Sequence, residues 1–165
     1  MAKVLTRGDG FVIDSSDVET QKEYFSRKGF ESTDAEHLNA TLRMRLFAME
    51  AKSSGLVDKL PEPTGPYNYE MVQEYDRLFR IYYQHLMETY PVSDDAVLSY
   101  YLSYPEKFLA NREGPKYNLK EEDMIPLDAN IKSWIRSQIV LSKKPVIIQE
   151  DFDRLKKKYH VVIEK

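Results

Sequence analysis

The middle of the chain carries the stretch Val-Ser-Asp-Asp-Ala-Val-Leu-Ser-Tyr-Tyr-Leu-Ser-Tyr-Pro-Glu-Lys-Phe, residues 92 to 108. Ser93 has the side chain of a helix N-cap, and the two aspartates after it place negative charge at the positive end of a helix dipole. Apolar and aromatic residues then recur at helical spacing until Pro105 interrupts the pattern. The stretch predicts an amphipathic helix over Val92–Tyr104 that ends in a proline-stopped turn.

Helical spacing also appears on both sides of this stretch. Residues 33 to 36, Thr-Asp-Ala-Glu, form a capping box at the start of one helix. Three prolines and a glycine between residues 61 and 66 cannot continue a helix, so another begins after them. The sequence predicts six helices, from Ser15 or Ser16 to about Arg27, from Thr33 to near Gly55, from Tyr67 to about Thr89, from Val92 to Tyr104, from a cap at Asp128 to Pro145, and from Glu150 to Tyr159.

Short β-prone runs lie at both ends of the chain. Val4–Thr6 and Phe11–Ile13 flank Gly8-Asp9-Gly10, which predicts a tight hairpin rather than a phosphate loop, because a strand and not a helix follows the glycines. His160–Ile163 predicts a closing strand. Isolated strands leave backbone groups unpaired, so we expect this strand to pair with the hairpin. The predicted fold is mainly α, a single domain over residues 1–165 with about six helices and a small β element from the N-terminal hairpin and the C-terminal strand.

Composition excludes several classes of function. The 165 residues carry a net charge of −3, which gives no general attraction for nucleic acid, and no nucleic-acid partner is expected. The absence of cysteine excludes disulfides and thiolate metal sites. No apolar run approaches the ~18 residues of a membrane span. No signal peptide is present in this chain, so we expect any export signal to lie outside it.

Motifs for cofactor or metal chemistry are also weak. His85 and Glu88 have a spacing that some helical metal sites use, but closed sites need about four ligands and no second pair accompanies them. The chain has neither a Gly-Lys-Ser/Thr phosphate motif nor a Gly-x-Ser-x-Gly nucleophile elbow. We therefore predict no cofactor, no metal and no catalytic residue.

The whole chain has twelve tyrosines, and they are concentrated in its middle. Neighbours on a helix point about 100° apart, so one member of each tyrosine doublet could face a groove while the other packs inside. The competing interpretation is core packing, which we expect for about half of the tyrosines, with their hydroxyls at the edge of the core. Our hypothesis is a peptide-binding surface that includes Tyr75, Tyr82, Tyr83, Tyr100, Tyr101 and Tyr104.

Three further stretches of the chain contain elements in a characteristic order. Val4–Ile13 has a strand, a glycine-containing turn and a strand, Leu46–Leu56 has an acidic-Ala pair before Gly-Leu, and residues 131 to 163 have closing helices and a final strand. Together with residues 92 to 108, these stretches resemble the chaperone part of parvulin-type peptidyl-prolyl isomerases of the SurA and PrsA class. The resemblance covers most of the chain.

The resemblance departs at residues 105–127, a short connection where that family carries a complete parvulin domain with paired active-site histidines. About twenty residues are too few for a domain, which needs at least ~50. The three histidines, His37, His85 and His160, all lie outside the connection. The resemblance therefore implies a protein that is not an enzyme and that has no prolyl isomerase activity of its own.

For function, the resemblance implies an ATP-independent chaperone or foldase-like domain that binds unfolded or secreted polypeptides in the periplasm or another extracytoplasmic compartment. Two alternatives stay open. The first is a dedicated assembly factor that binds one structured partner, and the second is a divergent peptidyl-prolyl isomerase. Helix exchange between two copies would give a homodimer, because long helices joined by proline-rich hinges can swap.

Overall fold

The computed structural model of the protein describes residues 1–62, 66–114 and 116–165. Pro63, Thr64 and Gly65 of the predicted helix break, and Pro115 of the predicted connection, lie outside the described residues. The elements are, in chain order, β1 (Val4–Gly8), β2 (Phe11–Asp14), α1 (Ser15–Ser26), α2 (Asp34–Ser53), α3 (Tyr69–Thr89), α4 (Asp94–Ser103), two 3₁₀ helices (Pro105–Phe108 and Glu121–Asp123), α5 (Ala129–Lys158) and β3 (Val162–Ile163).

The described chain divides into two compact units. The first unit consists of Met1–Glu88 and Val146–Lys165, so both chain ends belong to it, and the second consists of Thr89–Pro145. That the two fold as a single domain over residues 1–165 stays a prediction. Within the described ranges, no helix has the length and apolar character needed to cross a membrane.

The three strands form one small antiparallel sheet in the order β2-β1-β3. Gly10 turns the hairpin with a positive φ of 81°, a conformation that glycine adopts without strain. The terminal strand lies on the other side of β1, where Thr6 is opposite Ile163 and the Thr6 hydroxyl donates to the Val162 carbonyl at 2.8 Å. The prediction of a mainly helical fold with a small β element from both chain ends is confirmed.

Side-chain caps begin the helices, and one of them differs from the prediction. Thr33 forms its capping box with Glu36, and the Ser93 hydroxyl accepts from the Ala96 amide at 3.1 Å, so both predicted caps are confirmed. The prediction that Ser15 or Ser16 caps α1 is wrong. Asp14 is the cap, because its ionised carboxylate is a stronger acceptor for the free amides of the first turn than a neutral hydroxyl.

The predicted last two helices are one continuous helix, so the described chain has five α-helices rather than six. α5 passes through Pro145, where the expected stop does not occur. Proline removes one helical hydrogen bond and crowds the preceding turn. Residues 141 to 146 are exposed, so water can solvate the Leu141 carbonyl that Pro145 leaves unbonded, while Ile139 and Ile147 on either side are buried.

The connection over residues 105–127 is more ordered than a bare linker. It contains both 3₁₀ helices and an isolated antiparallel bridge between Leu109 and Met124. Phe108, Leu109 and Met124 are buried, and Phe108 and Met124 belong to the core of the second unit with Val97 and Ile135. The connection therefore supplies part of the hydrophobic core of the unit that carries α4.

Candidate functional site

The exposed edge of α4 carries two of the six predicted tyrosines. Val97 and Tyr101 pack into the core of the second unit, which leaves Tyr100 half-buried and Tyr104 42% exposed. Ala96, Tyr100 and Tyr104 follow one another at four-residue intervals and therefore lie one above the other on α4 and at its C-cap. The burial of one stripe of the helix thus leaves the adjacent tyrosine stripe accessible.

Trp134 of α5 completes this stripe. The rings of Tyr100 and Tyr104 have centroids 4.8 Å apart, and the Tyr100 and Trp134 rings are 6.4 Å apart in an edge-to-face arrangement. Phe108 lies buried beside them, 5.8 Å from Trp134. Trp134 is 43% exposed. We call Tyr100, Tyr104 and Trp134 the aromatic surface.

Trp134 is the residue of this surface that the tyrosine hypothesis misses. Helical spacing predicts that Trp134 shares one stripe of α5 with Ile131, Ile135 and Ile139, and of these Ile135 and Ile139 are buried in the core. Trp134 precedes Ile135 directly, so it points about 100° away from it. Helical spacing alone does not decide which edge of this stripe is accessible, because that depends on the residues that pack against α5.

Lys107 gives the aromatic surface a cationic margin. Its ammonium donates to the Tyr100 hydroxyl at 3.0 Å and lies 4.6 Å from the centre of the Tyr104 ring. The hydrogen bond with Tyr100 raises the pKa of Lys107 above its usual value. The charged ammonium thus contacts both rings from one side.

A cavity of about 410 Å³ lies at the other end of the same stripe. Ala96 lines it one helical turn before Tyr100, and Ile139 and Lys143 contribute from α5. The remaining lining residues are Pro91, Val92 and Ser93. The second unit therefore presents an apolar cavity and exposed rings along one edge of α4.

Tyr101 has a structural role in the second unit. It is buried, and its hydroxyl donates to the Ile125 carbonyl at 2.7 Å. Burial raises the pKa of its phenol. Tyr101 thus ties the connection to α4 and offers no accessible surface.

The other three predicted tyrosines belong to the first unit. Tyr82 is 4% exposed, and its hydroxyl donates to Asp151 at 2.7 Å. Burial, and then this hydrogen bond, raise the pKa of the Tyr82 phenol. Tyr75 is buried, with the Arg45 guanidinium 4.6 Å from its ring centre. Tyr83 is half-buried and stacks on Phe79, with their centroids 6.0 Å apart.

The six predicted residues therefore have different environments. In each doublet one member is buried, Tyr82 or Tyr101, and its neighbour is half-buried, Tyr83 or Tyr100. Of the six, Tyr104 is the one that is exposed, at 42%. The structure brings Tyr100 and Tyr104 together with Trp134, and this set is the candidate site.

No protein-family model, curated protein or solved structure matches this chain. Among the residues with described positions, no group of three or more histidine, aspartate or glutamate side chains is arranged to hold a metal ion. The aromatic surface itself offers ring faces, two tyrosine hydroxyls and an indole N–H, and the Lys107 ammonium lies beside it. These groups bind apolar side chains and peptide carbonyls through contact area and hydrogen bonds.

Proposed function

We propose that the protein is an ATP-independent chaperone-type domain that holds extended segments of unfolded polypeptides on its aromatic surface. The observation that carries the proposal is the contact of Tyr100 with both Tyr104 and Trp134, while Tyr104 and Trp134 each keep more than two-fifths of their surface exposed. Contiguous exposed aromatic side chains on a soluble domain are typical of interaction sites rather than of ordinary surface.

Rings of this kind suit a surface that must accept many sequences. Tyrosine and tryptophan have few rotatable bonds, so they give a large contact area at a low cost in conformational entropy. The hydroxyls of Tyr100 and Tyr104 and the Trp134 indole N–H supply hydrogen-bonding groups that any peptide backbone can satisfy. The surface therefore binds through features that all extended chains share.

The energetics favour weak binding that allows release. An apolar patch of roughly 400 Å² gives on the order of 10 kcal/mol of gross hydrophobic free energy. The loss of translational and rotational freedom on binding costs about 4–15 kcal/mol, and ordering a flexible client costs more. The small remainder supports a holding role that needs no nucleotide-driven release.

The resemblance of residues 92 to 108 and the chain ends to SurA- and PrsA-class foldases supports the rest of the proposal. We place the protein in the periplasm or another extracytoplasmic compartment, with secreted polypeptides as its clients. Because a parvulin domain has no counterpart in residues 105–127, we propose no prolyl isomerase catalysis. An isomerisation assay on a proline peptide should give the uncatalysed rate, and a clear acceleration would favour the divergent isomerase instead.

Suppression of client aggregation tests the holding role. A chemically denatured client is diluted into buffer with increasing amounts of the protein, and light scattering is followed. We expect suppression at a few-fold molar excess, and we expect the double variant Tyr104→Ala, Trp134→Ala to require at least about five times more protein. Tyr117→Ala is the matched control, since Tyr117 is exposed and takes part in none of the ring contacts of the described chain. Equal scattering with and without the protein would contradict the proposal.

A dedicated assembly factor is the second candidate, and Leu98 and Leu102 favour it. They are exposed one turn apart on the opposite edge of α4 from Tyr100. Leucines at this spacing are the anchors by which a helix docks into the groove of a folded partner. If Leu98→Ser abolishes capture of one saturable partner while aggregation suppression is unchanged, the assembly role is the correct one.

A further inference from the structure

A second cavity, in the first unit, has the composition of a ligand pocket. It measures about 330 Å³ and lies among α1, the segment after it, α2 and α3. Its apolar lining comes from Phe25, Phe30, Ala40, Met44 and Phe79. Ala40 is the smallest of these side chains and lies one turn before Met44 on α2. A pocket of this size and polarity accepts a group about as large as one amino-acid residue.

Arg43 brings a positive charge to this apolar lining. The residue is half-buried, and desolvation by the surrounding chain lowers the pKa of its guanidinium. In the part of the chain that the structure describes, no carboxylate or hydrogen-bond acceptor contacts it. A partly desolvated guanidinium without an anion is unfavourable, and a bound carboxylate would remove that penalty.

The other charges of the pocket already have partners. Asp76 accepts from Arg80 at 3.1 Å, and the Glu36 carboxylate accepts from the Thr33 amide at 2.7 Å in the capping box of α2. Glu36 also lies seven residues before Arg43, about 10 Å away along the helix axis. Two carboxylates and two arginines line the pocket. Arg80 is paired with Asp76, whereas Arg43 is the arginine that no acceptor of the described chain contacts.

Size and charge together select the occupant. A long acyl chain would need more apolar volume than this cavity offers, and a wholly apolar group would leave Arg43 unpaired. A chain-terminal amino acid combines one side chain with one carboxylate, and the rest of its peptide can leave through the mouth. Phe30, 63% exposed, lies at the lining and can cover such a side chain from outside.

We infer that this pocket binds the C-terminal residue of a polypeptide, with an aromatic or large apolar side chain among Phe25, Met44 and Phe79 and the terminal carboxylate on Arg43. The site lies in the first unit and does not depend on the aromatic surface of the second. It would give the protein a preference for free chain ends of apolar sequence.

Peptide titration tests the inference directly. The probes are two hexapeptides of identical sequence that end in Phe, one with a free carboxylate and one with a C-terminal amide, and binding is followed by calorimetry or by NMR shifts. A charge-assisted hydrogen bond predicts that the acid binds at least about ten-fold more tightly than the amide. Arg43→Gln should remove this difference, and Arg43→Lys should keep most of it.

Two controls make the outcome decisive. Arg77→Gln removes an arginine of α3 that pairs with Glu74 and does not line the pocket, and it should leave binding unchanged. Thermal denaturation of each variant establishes that it is folded. The inference is overturned if the acid and amide peptides bind equally or if neither binds. Decanoate, a fatty acid with one carboxylate, is titrated as a third probe. Arg43-dependent binding of decanoate without binding of the peptide would also overturn the inference. The double variant Tyr104→Ala, Trp134→Ala leaves this pocket intact, so its loss of client holding reports on the aromatic surface alone. The loss of the acid–amide difference in Arg43→Gln reports on the pocket alone.

Discussion

Glu50 is a buried carboxylate that joins α2 to the end of α5. One of its oxygens accepts from the Lys158 ammonium at 2.7 Å and from the Tyr159 hydroxyl at 3.0 Å. The Arg154 guanidinium lies 3.7 Å from the other oxygen and also donates to the Tyr82 hydroxyl at 3.2 Å. Tyr82 thus takes part in a polar network of the first unit, which gives it a structural role.

Removing this carboxylate should destabilise the first unit. Glu50→Ala leaves the donors of Lys158 and Tyr159 without their acceptor, and we expect a loss of about 1–3 kcal/mol in the free energy of unfolding. Denaturant titration followed by circular dichroism measures it. Glu74→Ala is the control, since its ion pair with Arg77 lies at the surface of α3 and should contribute at most about 1 kcal/mol. Equal losses in the two variants would contradict the role of Glu50.

Partly buried phenols make the protein sensitive to alkaline pH. Burial, and then the hydrogen bond to Glu50, raise the pKa of Tyr159 to about 12, and burial raises that of Tyr67 to about 12. An unfolded tyrosine ionises near pH 10. Between about pH 10 and pH 12 the unfolded chain has lost protons that the folded one keeps, so stability falls as the pH rises.

The variants Tyr67→Phe and Tyr159→Phe test this dependence. Each loses a hydrogen bond at pH 8, where we expect a modest destabilisation of about 1 kcal/mol. Each should also lose less stability than the parent protein between pH 8 and pH 11, because one linked proton is gone. Denaturant midpoints at both pH values provide the comparison. An identical pH dependence in all three proteins would show that these phenols are not the linked groups.

At the level of elements, α5 contains a built-in weakness at Pro145. Four exposed residues precede it and an exposed valine follows it, so little packing supports this part of the helix. A proline in a helix interior costs about 3 kcal/mol relative to alanine. The buried residues on both sides, Ile139 and Ile147, account for a helix that continues despite this cost.

Pro145→Ala should therefore stabilise the protein. The new amide can donate to the Leu141 carbonyl, and we expect a gain of about 1–2 kcal/mol after the greater freedom of the unfolded chain is subtracted. Thermal denaturation measures the gain as a higher midpoint. Val146→Ala, the neighbouring exposed position, should change stability by less than about 0.5 kcal/mol. A lower midpoint for Pro145→Ala would mean that the proline is not a helical weak point.

For the whole molecule, the features that could be predicted are those set by neighbouring residues. The Thr33 and Ser93 caps and the Gly8–Gly10 hairpin depend on a few adjacent residues, and all of them occur. The sequence does not identify Asp14 as the cap of α1, because Asp14, Ser15 and Ser16 are adjacent and each has a side chain that can cap a helix. Helical spacing with Val72 and Tyr75 predicts that Tyr82 is buried, but its hydrogen bond with Asp151 could not be predicted, because the two residues are 69 positions apart in the sequence. The partial exposure of Trp134 likewise depends on which side of α5 the connection covers.

The pairing of the two chain ends leads to the last prediction. β3 pairs with β1, the Glu164 amide donates to the Leu5 carbonyl at 2.9 Å, and Val162 is the acceptor for the fully buried Thr6 hydroxyl. Deleting residues 162–165 leaves these groups of β1 unpaired, and we expect a loss of about 2–4 kcal/mol in unfolding free energy. Deleting Lys165 alone should change it by less than about 0.5 kcal/mol, since that residue is exposed. Urea titration separates the two results, and equal stability of both truncated chains would mean that the last strand contributes nothing to the fold.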